Sequence, residues 1–389
     1  MYEAANAEKI VAALRETEAE SEATRRLSDR AVELLHQSGV TRIVSPAAYG
    51  GYELPVRALV EAERIVAQGS TAASWVLMVC AAHTFIAGRM PRRGQDEYFG
   101  GDAGMLIPGV PSLRGTCRRT AGGYILKGRW PYASGADHGD WVLVGCRGIP
   151  NDAGETCPPL IVVMPKKDAV IDDTWFTLGM RGTGSKDIVV EDAFIPSYRA
   201  LEYTKVAEGD AAKEAGLTET GYHVPFSCVF PLGITSAVIG ICEGALAHHA
   251  AWQASRTTVS GAASKDDPYA LYALSEAAAD IAASRAALVD NVTRMHDAVS
   301  RGHVPTFAER AAGRRTQVQA AWRAVRALDE VVARSGGNAM RMDNPIQRFW
   351  RDAHTGLAHA IHVPGPTFHA AGLGDLGLEP PAGPLRSMI

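Results

Sequence analysis

The sequence lacks paired cysteines, long apolar runs and clusters of basic residues. Its six cysteines stand singly along the chain, so their spacing excludes a thiolate zinc cluster and is not typical of a disulfide framework. No apolar segment approaches the length of a bilayer span, and the charged N-terminus has no apolar core of the signal-peptide kind. The net charge of -4 gives no reason to expect a nucleic acid or a membrane as partner. We therefore expect a cytoplasmic protein.

The sequence pattern also does not indicate a metal centre. Glu33 and His36 form one Glu-x-x-His pair, but a carboxylate-bridged di-iron site needs a second pair and two further glutamates on facing helices. His359 and His362 have the spacing of two ligands, yet no carboxylate stands nearby to complete the set. Residues 372–377 match Gly-x-Gly-x-x-Gly without a predicted strand before them or a helix after them. We therefore predict no metal ligand and no nicotinamide site.

The 389 residues, 47% hydrophobic and 21% charged, are enough for two or three folded domains. Helical periodicity marks residues 5–35, with Gly39 as a plausible C-cap, and it returns in residues 56–67 and after Thr71. From about residue 104 the chain changes to short β-branched and aromatic runs separated by glycine and proline. Long helical segments follow near the C-terminus, the last of them covering residues 345–361.

This order predicts an α+β chain of three parts. They are an N-terminal helical domain, a central antiparallel β domain and a C-terminal four-helix bundle with a tail, at residues 1–103, 104–206 and 207–389. Residues 205–219 are polar and are predicted as a loop. The bundle is predicted to begin near Pro231, and residues 366–389, rich in glycine and proline, are predicted as irregular.

Two local patterns carry chemistry. Residues 128–135 are predicted as a strand, a short kink and a second strand, with the Ser134 hydroxyl where the backbone turns. An ordinary hairpin corner would explain the same pattern. The third predicted helix carries Trp75, Val79 and His83 on one face, because they follow at i, i+4 and i+8. A lone histidine on such a face is more often a core residue, so both interpretations stay open for His83, and Trp75 is predicted to serve packing.

Three longer segments resemble acyl-CoA dehydrogenases, and the likeness covers nearly the whole chain. Residues 124–134 align without gaps to that family's flavin-binding strand. Residues 178–188 resemble its second β-domain signature, and residues 344–353 resemble the segment that closes its dinucleotide site. The resemblance implies that the predicted α+β chain is acyl-CoA dehydrogenase-like and that the bundle assembles a homotetramer.

The resemblance also implies a set of flavin-binding residues. Ser134 takes the position of a hydroxyl residue bonded near flavin N5, and Tyr132 that of an aromatic residue against the isoalloxazine. Arg256 stands where the family has an arginine that reaches the flavin phosphates of a neighbouring subunit, although it could instead pair with a carboxylate. Gly336 and Gly337 fall in the segment that closes the dinucleotide site.

Departures from the family argue against a dehydrogenase. The carboxylate that removes the substrate α-proton is usually ten positions into the segment that begins at Arg351, and that position is Ala360 here. A known variant places the base on the first helix of the bundle, but residues 221–242 contain no Asp or Glu. Residues 107–112 replace the family's substrate-side loop. Loss of a general base costs about 10²–10⁴-fold in rate.

What remains resembles the oxygenase component of the two-component flavin-dependent monooxygenases, which share this fold. That resemblance implies FMNH2 or FADH2 delivered by a separate flavin reductase, and a C4a-hydroperoxyflavin that oxygenates a small aromatic substrate, phenolic or polyketide-like. Ser134 would bond N5, His83 would accept the proton or hydrogen bond of a phenol, and His359 would aid formation of the peroxide.

Three alternatives remain open. One is an N- or S-oxygenase of the same branch, acting on an amine, an amino sugar or a thioether. Another is an acyl-CoA dehydrogenase with an unrecognised base. The third is a helical scaffold that has lost its cofactor.

Overall fold

The computed structural model describes residues 4–257, 261–381, 386 and 389. The helices found in them are α1 (Ala4–Thr24), α2 (Asp29–Ser38), α3 (Val56–Ala67), α4 (Thr71–Ala87), α5 (Arg92–Phe99), α6 (Tyr203–Glu208), α7 (Asp210–Glu214), α8 (Thr220–His223), α9 (Phe226–Ser255), α10 (Pro268–Ser300), α11 (Phe307–Ala333), α12 (Pro345–Leu357) and α13 (Pro364–Asp375). The strands are β1 (Gly109–Thr120), β2 (Gly123–Ala133), β3 (Trp141–Gly148), β4 (Leu160–Pro165), β5 (Val170–Asp172), β6 (Lys186–Pro196) and β7 (Ala200–Glu202).

The first predicted helical stretch, residues 5–35, is two helices in the structure. The chain breaks after α1, where Arg25 has a φ of 55°. Helix α2 then starts afresh because the Ser28 hydroxyl accepts a hydrogen bond from the Ala31 N–H at 3.1 Å. Gly39, with a φ of 78°, ends α2 as the predicted C-cap.

Helix α4 lies at the centre of the N-terminal part. The Ser70 hydroxyl caps it by accepting from the Ala73 N–H at 3.0 Å, and every residue of the helix is buried. It packs against α3, α9 and β1. Trp75 and His83 lie on one face, about 12 Å apart along the helix axis. Because the helix is enclosed on all sides, its side chains are held in fixed positions.

The β part is a seven-stranded sheet in the order β5-β6-β2-β1-β3-β4-β7. Five of its six pairings are antiparallel, as predicted, but β1 and β3 run parallel, so the sheet is mixed. The reason is that β2 turns back along one edge of β1, and the chain then crosses to place β3 on the other edge. A strand-by-strand pattern does not show which edge a later strand will take.

Gly115→Ala is expected to destabilise this sheet. A Cβ at Gly115 would lie 2.0 Å from Cζ2 of Trp130, which is fully buried and donates from Nε1 to the Gly145 carbonyl at 2.6 Å. The indole has no room to move, so the free energy of unfolding should fall by about 1–3 kcal/mol. Urea denaturation measures this, with Gly101→Ala as control because a Cβ there meets nothing within 4 Å. Equal losses in the two variants would contradict the prediction.

The end of β2 carries the predicted kink. Its register against β6 shifts between Trp130 and Ala133, and Tyr132 has a φ of 74°, a conformation that side-chain-bearing residues rarely adopt. The Ser134 N–H donates to the Tyr132 carbonyl at 3.0 Å, which closes a tight turn. The two side chains therefore leave the strand in different directions. Tyr132 is 66% exposed and Ser134 is buried.

Three predictions about the C-terminal part are wrong. Residues 205–219 are not a loop, because they contain most of α6 and all of α7, whose Val206, Ala211 and Ala212 are buried. The bundle begins at Phe226, with Pro231 inside α9 rather than before it. In the tail, α13 occupies part of residues 366–389, and residues 382–385 and 387–388 lie outside the described residues.

The last predicted helix also ends early. Helix α12 stops at Leu357, and a separate 3₁₀ turn, Ala360–His362, follows. His359 therefore caps that turn instead of lying on the same helix as Arg351. Pro364 does not stop a helix. It stands at the first position of α13, where a proline needs no N–H partner.

Helices α9, α10, α11 and α12 form the predicted bundle, in which α9 and α11 contact each other and both of the other helices. The expectation that no apolar segment approaches the length of a bilayer span is wrong, because α9 is long and apolar enough to cross a membrane. However, 83% of its most apolar window is buried in the fold, so it is a core helix. One large hydrophobic core joins α9 to α3 and α4, and a second fills the sheet. Because the first core includes residues on both sides of positions 103 and 206, the two predicted domain boundaries stay predictions.

Candidate active site

Ser134 lies at the centre of a hydrogen-bonded group of side chains. Its hydroxyl accepts from Trp75 Nε1 at 3.2 Å and is 2.8 Å from the Ser185 hydroxyl. Ser185 is in turn 2.6 Å from the Thr183 hydroxyl, which donates to the Met180 carbonyl at 2.7 Å. Trp75 thus does more than the predicted packing, because it connects α4 to the kink of β2.

His83 has one nitrogen bonded and one free. Its Nδ1 is 2.9 Å from the Ile107 carbonyl, which only accepts, so Nδ1 carries the proton. Nε2 is buried and has no hydrogen-bond partner among the residues that the structure describes, which leaves its lone pair available. Burial lowers the pKa of His83 to about 4, although the bond to Ile107 opposes this. The side chain is therefore a neutral acceptor at physiological pH. Ile107 belongs to the segment that departs from the dehydrogenase pattern.

His359 has the opposite tautomer to His83. Its Nδ1 accepts from the Ile361 N–H at 3.2 Å, so the neutral ring carries its proton on Nε2 and can donate there. Burial, and then the charge of Arg314, lower the pKa of His359 to about 4. The ring centre lies 5.9 Å from that of Trp75 and 6.0 Å from that of Phe230. Trp75 therefore lies between the Ser134 hydroxyl and the His359 ring.

Arg314 holds the turn that carries His359. It is buried, and it donates to the Ile361 carbonyl at 2.6 Å and to Gln317 Oε1 at 2.7 Å. On its other side is a cavity of about 280 Å³ between α9, α10 and α11. His362 has both nitrogens within hydrogen-bond distance of protein atoms, Nε2 at 3.1 Å from the Thr235 hydroxyl and Nδ1 at 3.2 Å from the Gly356 carbonyl. It is thus a structural residue, and the two histidines do not share a ligand position.

Tyr132 is exposed beside this group. Its ring meets that of Trp175 edge-on, with centres 6.2 Å apart, and otherwise faces outward. Strained backbone of this kind clusters at functional sites, and an exposed aromatic ring can stack on a flat ligand. The Tyr132 ring, the Ser134 hydroxyl and the free Nε2 of His83 are therefore candidate contacts for an isoalloxazine and a small substrate.

The predicted phosphate-binding residues lie elsewhere. Arg256 stacks on Trp252 at 4.4 Å, donates to the Arg334 carbonyl at 3.3 Å and lies next to Gly336. Gly336 combines a φ of 72° with a ψ of -179°, which essentially only glycine adopts. Arg256 follows Phe230 by 26 positions, a distance of about 39 Å along α9. One chain therefore brings Arg256 and Gly336 together, with Gly337 next to them, but does not bring them to Ser134.

Buried carboxylates lie near the site without entering it. Asp352 accepts from the Met180 N–H at 2.6 Å and from the Thr71 hydroxyl, so it anchors the loop that holds Thr183. Glu63 is fully buried, and neither of its carboxylate oxygens has a hydrogen-bond partner in the described part of the chain. Within the described ranges, no carboxylate has a recorded contact with Ser134, and none influences the pKa of the two site histidines. The residue at the dehydrogenase base position, Ala360, is exposed.

The chain is similar along nearly its whole length to flavin-dependent hydroxylases. A family model for the C-terminal domain of acyl-CoA dehydrogenases matches residues 232–364. The pigment production hydroxylase of Rhodococcus erythropolis is 46% identical over 375 residues, 95% of each chain. HsaA, the oxygenase subunit of a flavin-dependent monooxygenase from Mycobacterium tuberculosis, is 32% identical over 379 residues, 96% of this chain and 95% of that one.

Solved structures agree with this. The crystal structure of the HsaA monooxygenase from M. tuberculosis matches with a TM-score of 0.91 at 31% identity, covering 99% of this chain and 98% of that chain. XiaF from Streptomyces sp., in complex with FADH2 and glycerol, matches with a TM-score of 0.90 at 28% identity, covering 98% and 96%. The predicted acyl-CoA dehydrogenase-like α+β fold is confirmed.

Proposed function

Because this chain belongs to the oxygenase components of the two-component flavin-dependent monooxygenases, we propose that it hydroxylates a small phenolic substrate. Its co-substrates are molecular oxygen and a reduced flavin, FMNH2 or FADH2, which a separate flavin reductase supplies. When bound, the reduced flavin supplies the two electrons that activate oxygen. The residues of this chain bind the two ring systems, position them and handle the protons.

The observation that carries the phenolic substrate is the free Nε2 of His83. A phenol O–H donates to a neutral imidazole nitrogen, and the bond raises the electron density of the aromatic ring. An electron-rich ring carbon attacks an electrophilic oxygen faster. The Ile107 carbonyl fixes the tautomer, since it holds the proton on Nδ1. His83 is therefore the proposed general base, because burial keeps its Nε2 unprotonated at physiological pH and that nitrogen is free to accept from a phenol.

Ser134 and His359 complete the proposed catalytic set. Ser134 would accept a hydrogen bond from the N5–H group of a bound reduced flavin, and Tyr132 would stack beside its ring. His359, with its proton on Nε2, would supply a hydrogen-bond donor on the oxygen side of the site. Trp75 and His83 lie on the buried helix α4, so the substrate side of the proposed site would be kept from water, which protects a reactive oxidant.

A second copy of the chain supplies the remaining contacts in this proposal. Arg256, Gly336 and Gly337 bind the flavin phosphates of a neighbouring subunit, because they lie too far from Ser134 to serve the same flavin. This requires an oligomer, and we propose a homotetramer assembled through the C-terminal bundle. The domain boundaries at 103/104 and 206/207 and a cytoplasmic location belong to the same proposal.

Rapid mixing of the protein–FMNH2 complex with oxygenated buffer tests this function. The native protein is expected to give an absorbance transient that neither reduced nor oxidised flavin has. Ser134→Ala should shorten its lifetime by about 10-fold, as expected for the loss of one hydrogen bond of about 1.4 kcal/mol. Ser197→Ala, an exposed serine outside the site, serves as the control. Direct return of the native protein to oxidised flavin, without a transient, would contradict the function.

A second experiment on the native protein distinguishes an oxygenase from a dehydrogenase. Anaerobic addition of acyl-CoA thioesters to the complex with oxidised flavin should leave its absorbance unchanged, because no carboxylate contacts Ser134 or its bonded neighbours among the residues that the structure describes. Bleaching of the flavin would identify a dehydrogenase instead.

A further inference from the structure

The hydroxyl chain at Ser134 has a fixed direction. A carbonyl only accepts, so the single proton of the Thr183 hydroxyl goes to the Met180 carbonyl. Thr183 must then accept from Ser185, because its own proton is already in use. Ser185 is left to accept from Ser134 for the same reason. The proton of Ser134 is therefore committed to Ser185.

This direction decides what Ser134 offers to a flavin. A hydroxyl oxygen has two lone pairs, and Trp75 Nε1 occupies one of them. The other lone pair is free, and no proton is left to donate. Ser134 can consequently accept a hydrogen bond from an N–H group, but it has no proton to donate to a nitrogen lone pair. Flavin N5 carries a hydrogen in the reduced ring and only a lone pair in the oxidised ring.

We propose that Ser185 and Thr183 are positioning residues that make this site select the reduced flavin over the oxidised one. The inference rests on the proposed flavin site and adds the residues that set its preference for one redox state. They act through Ser134, since neither hydroxyl has a free proton for the flavin. Once the flavin is oxidised, it no longer has the N5–H group that bonds Ser134. It therefore dissociates more easily, and another molecule of reduced flavin can bind.

The end of the chain is held rigidly enough to keep its direction. Met180 sits in a left-handed conformation, with a φ of 54°, and its N–H donates to the buried Asp352. Its carbonyl also accepts from Trp175 Nε1 at 2.9 Å. Thr183 and Ser185 are both buried, so water does not compete for their hydroxyls. Reversing the chain would cost the hydrogen bond from the Thr183 hydroxyl to the Met180 carbonyl, which would keep the N–H donors of Trp175 and Thr183.

The test compares the binding of oxidised and reduced FMN to the native protein and to Ser185→Ala, under anaerobic conditions. Without Ser185, the Ser134 proton is free to turn towards N5 and to donate to the oxidised ring. The dissociation constant of oxidised FMN divided by that of reduced FMN should fall by about 10-fold, mostly because oxidised FMN binds more tightly. The midpoint potential of bound FMN should become about 30 mV more negative, because a tenfold change in this ratio corresponds to that shift for a two-electron couple.

Four further variants keep the test decisive. Thr183→Val should lower the ratio in the same direction, and Ser185→Thr should restore it because a hydroxyl returns. Thr177→Val removes a hydroxyl from the same loop but outside the chain, since Thr177 bonds the Gly179 carbonyl, and should leave the ratio unchanged. In a Ser134→Ala background, Ser185→Ala should have no effect on the ratio.

The possible failures are distinguishable. If the native protein binds neither form of the flavin, the proposed function fails. If it binds reduced FMN and Ser185→Ala keeps the native ratio and potential, the proposed function stands and the positioning role of the hydroxyl chain is overturned.

Discussion

Replacing His83 by alanine is expected to lower the rate of substrate hydroxylation by about 10²–10⁴-fold, the usual cost of losing a general base. Reaction of the bound reduced flavin with oxygen should continue, because Ser134 and His359 do not bond His83. The two reactions therefore uncouple. The electrons should appear as hydrogen peroxide instead of product, and the measurement is the ratio of hydroxylated product to flavin oxidised, with a panel of mono- and dihydric phenols.

The pH profile gives an independent check. Because burial holds the pKa of His83 near 4, Nε2 is unprotonated throughout the physiological range. Hydroxylation by the native protein should thus be level between about pH 6 and pH 8, and it should fall only as the pH approaches 4, where protonation fills the lone pair. His36→Ala, a half-buried histidine on α2, is the control and should keep the native ratio of product to flavin.

His83→Ala also separates the two oxygenase candidates. An enzyme that oxygenates an amine or a thioether has no phenolic proton to remove, so its turnover would be unaffected by the substitution. Unchanged turnover in His83→Ala, combined with a shortened transient in Ser134→Ala, would favour an N- or S-oxygenase and contradict the phenolic substrate.

Local patterns predicted the elements that carry the site. The spacing of Trp75, Val79 and His83 depends only on helical periodicity, and the structure places Trp75 against Ser134 and His83 against Ile107. The kink before Ser134 follows from glycine, proline and aromatic residues within eight positions. These features are local in the chain, so the sequence is sufficient to predict them.

The supporting residues could not be predicted because their partners are distant in the chain. Ser134 and Ser185 are 51 positions apart, and Asp352 meets Met180 across 172 positions. No periodic pattern joins such pairs. The end of α12 was missed for a different reason, because the helical texture continues through His359 although His359 has left the helix. Only the capping bond from the Ile361 N–H shows where its ring points.

Glu63→Met is expected to stabilise the protein by about 1–3 kcal/mol at pH 8, since it replaces a buried carboxyl that has no hydrogen-bond partner within residues 4–257 and 261–381. The side chain is fully buried on α3, and its carboxylate lies near Gly233 of α9 and Met78 of α4. Methionine has a similar length and suits these apolar surroundings. Urea denaturation at pH 5 and pH 8 measures the gain, and Glu208→Gln, an exposed glutamate, is the control.

The sign of the pH dependence follows from linkage. Burial raises the pKa of Glu63 well above its ordinary value of 4.5, so the folded protein keeps this proton at pH values where the unfolded chain has lost it. Stability of the native protein therefore declines as the pH rises from about 4.5 through the folded pKa. Glu63→Met removes that decline, and the buried histidines contribute equally to both proteins, so the gain should be larger at pH 8 than at pH 5. A loss of stability at pH 8 would contradict this account, because it would require a bonding partner that stabilises the ionised carboxylate.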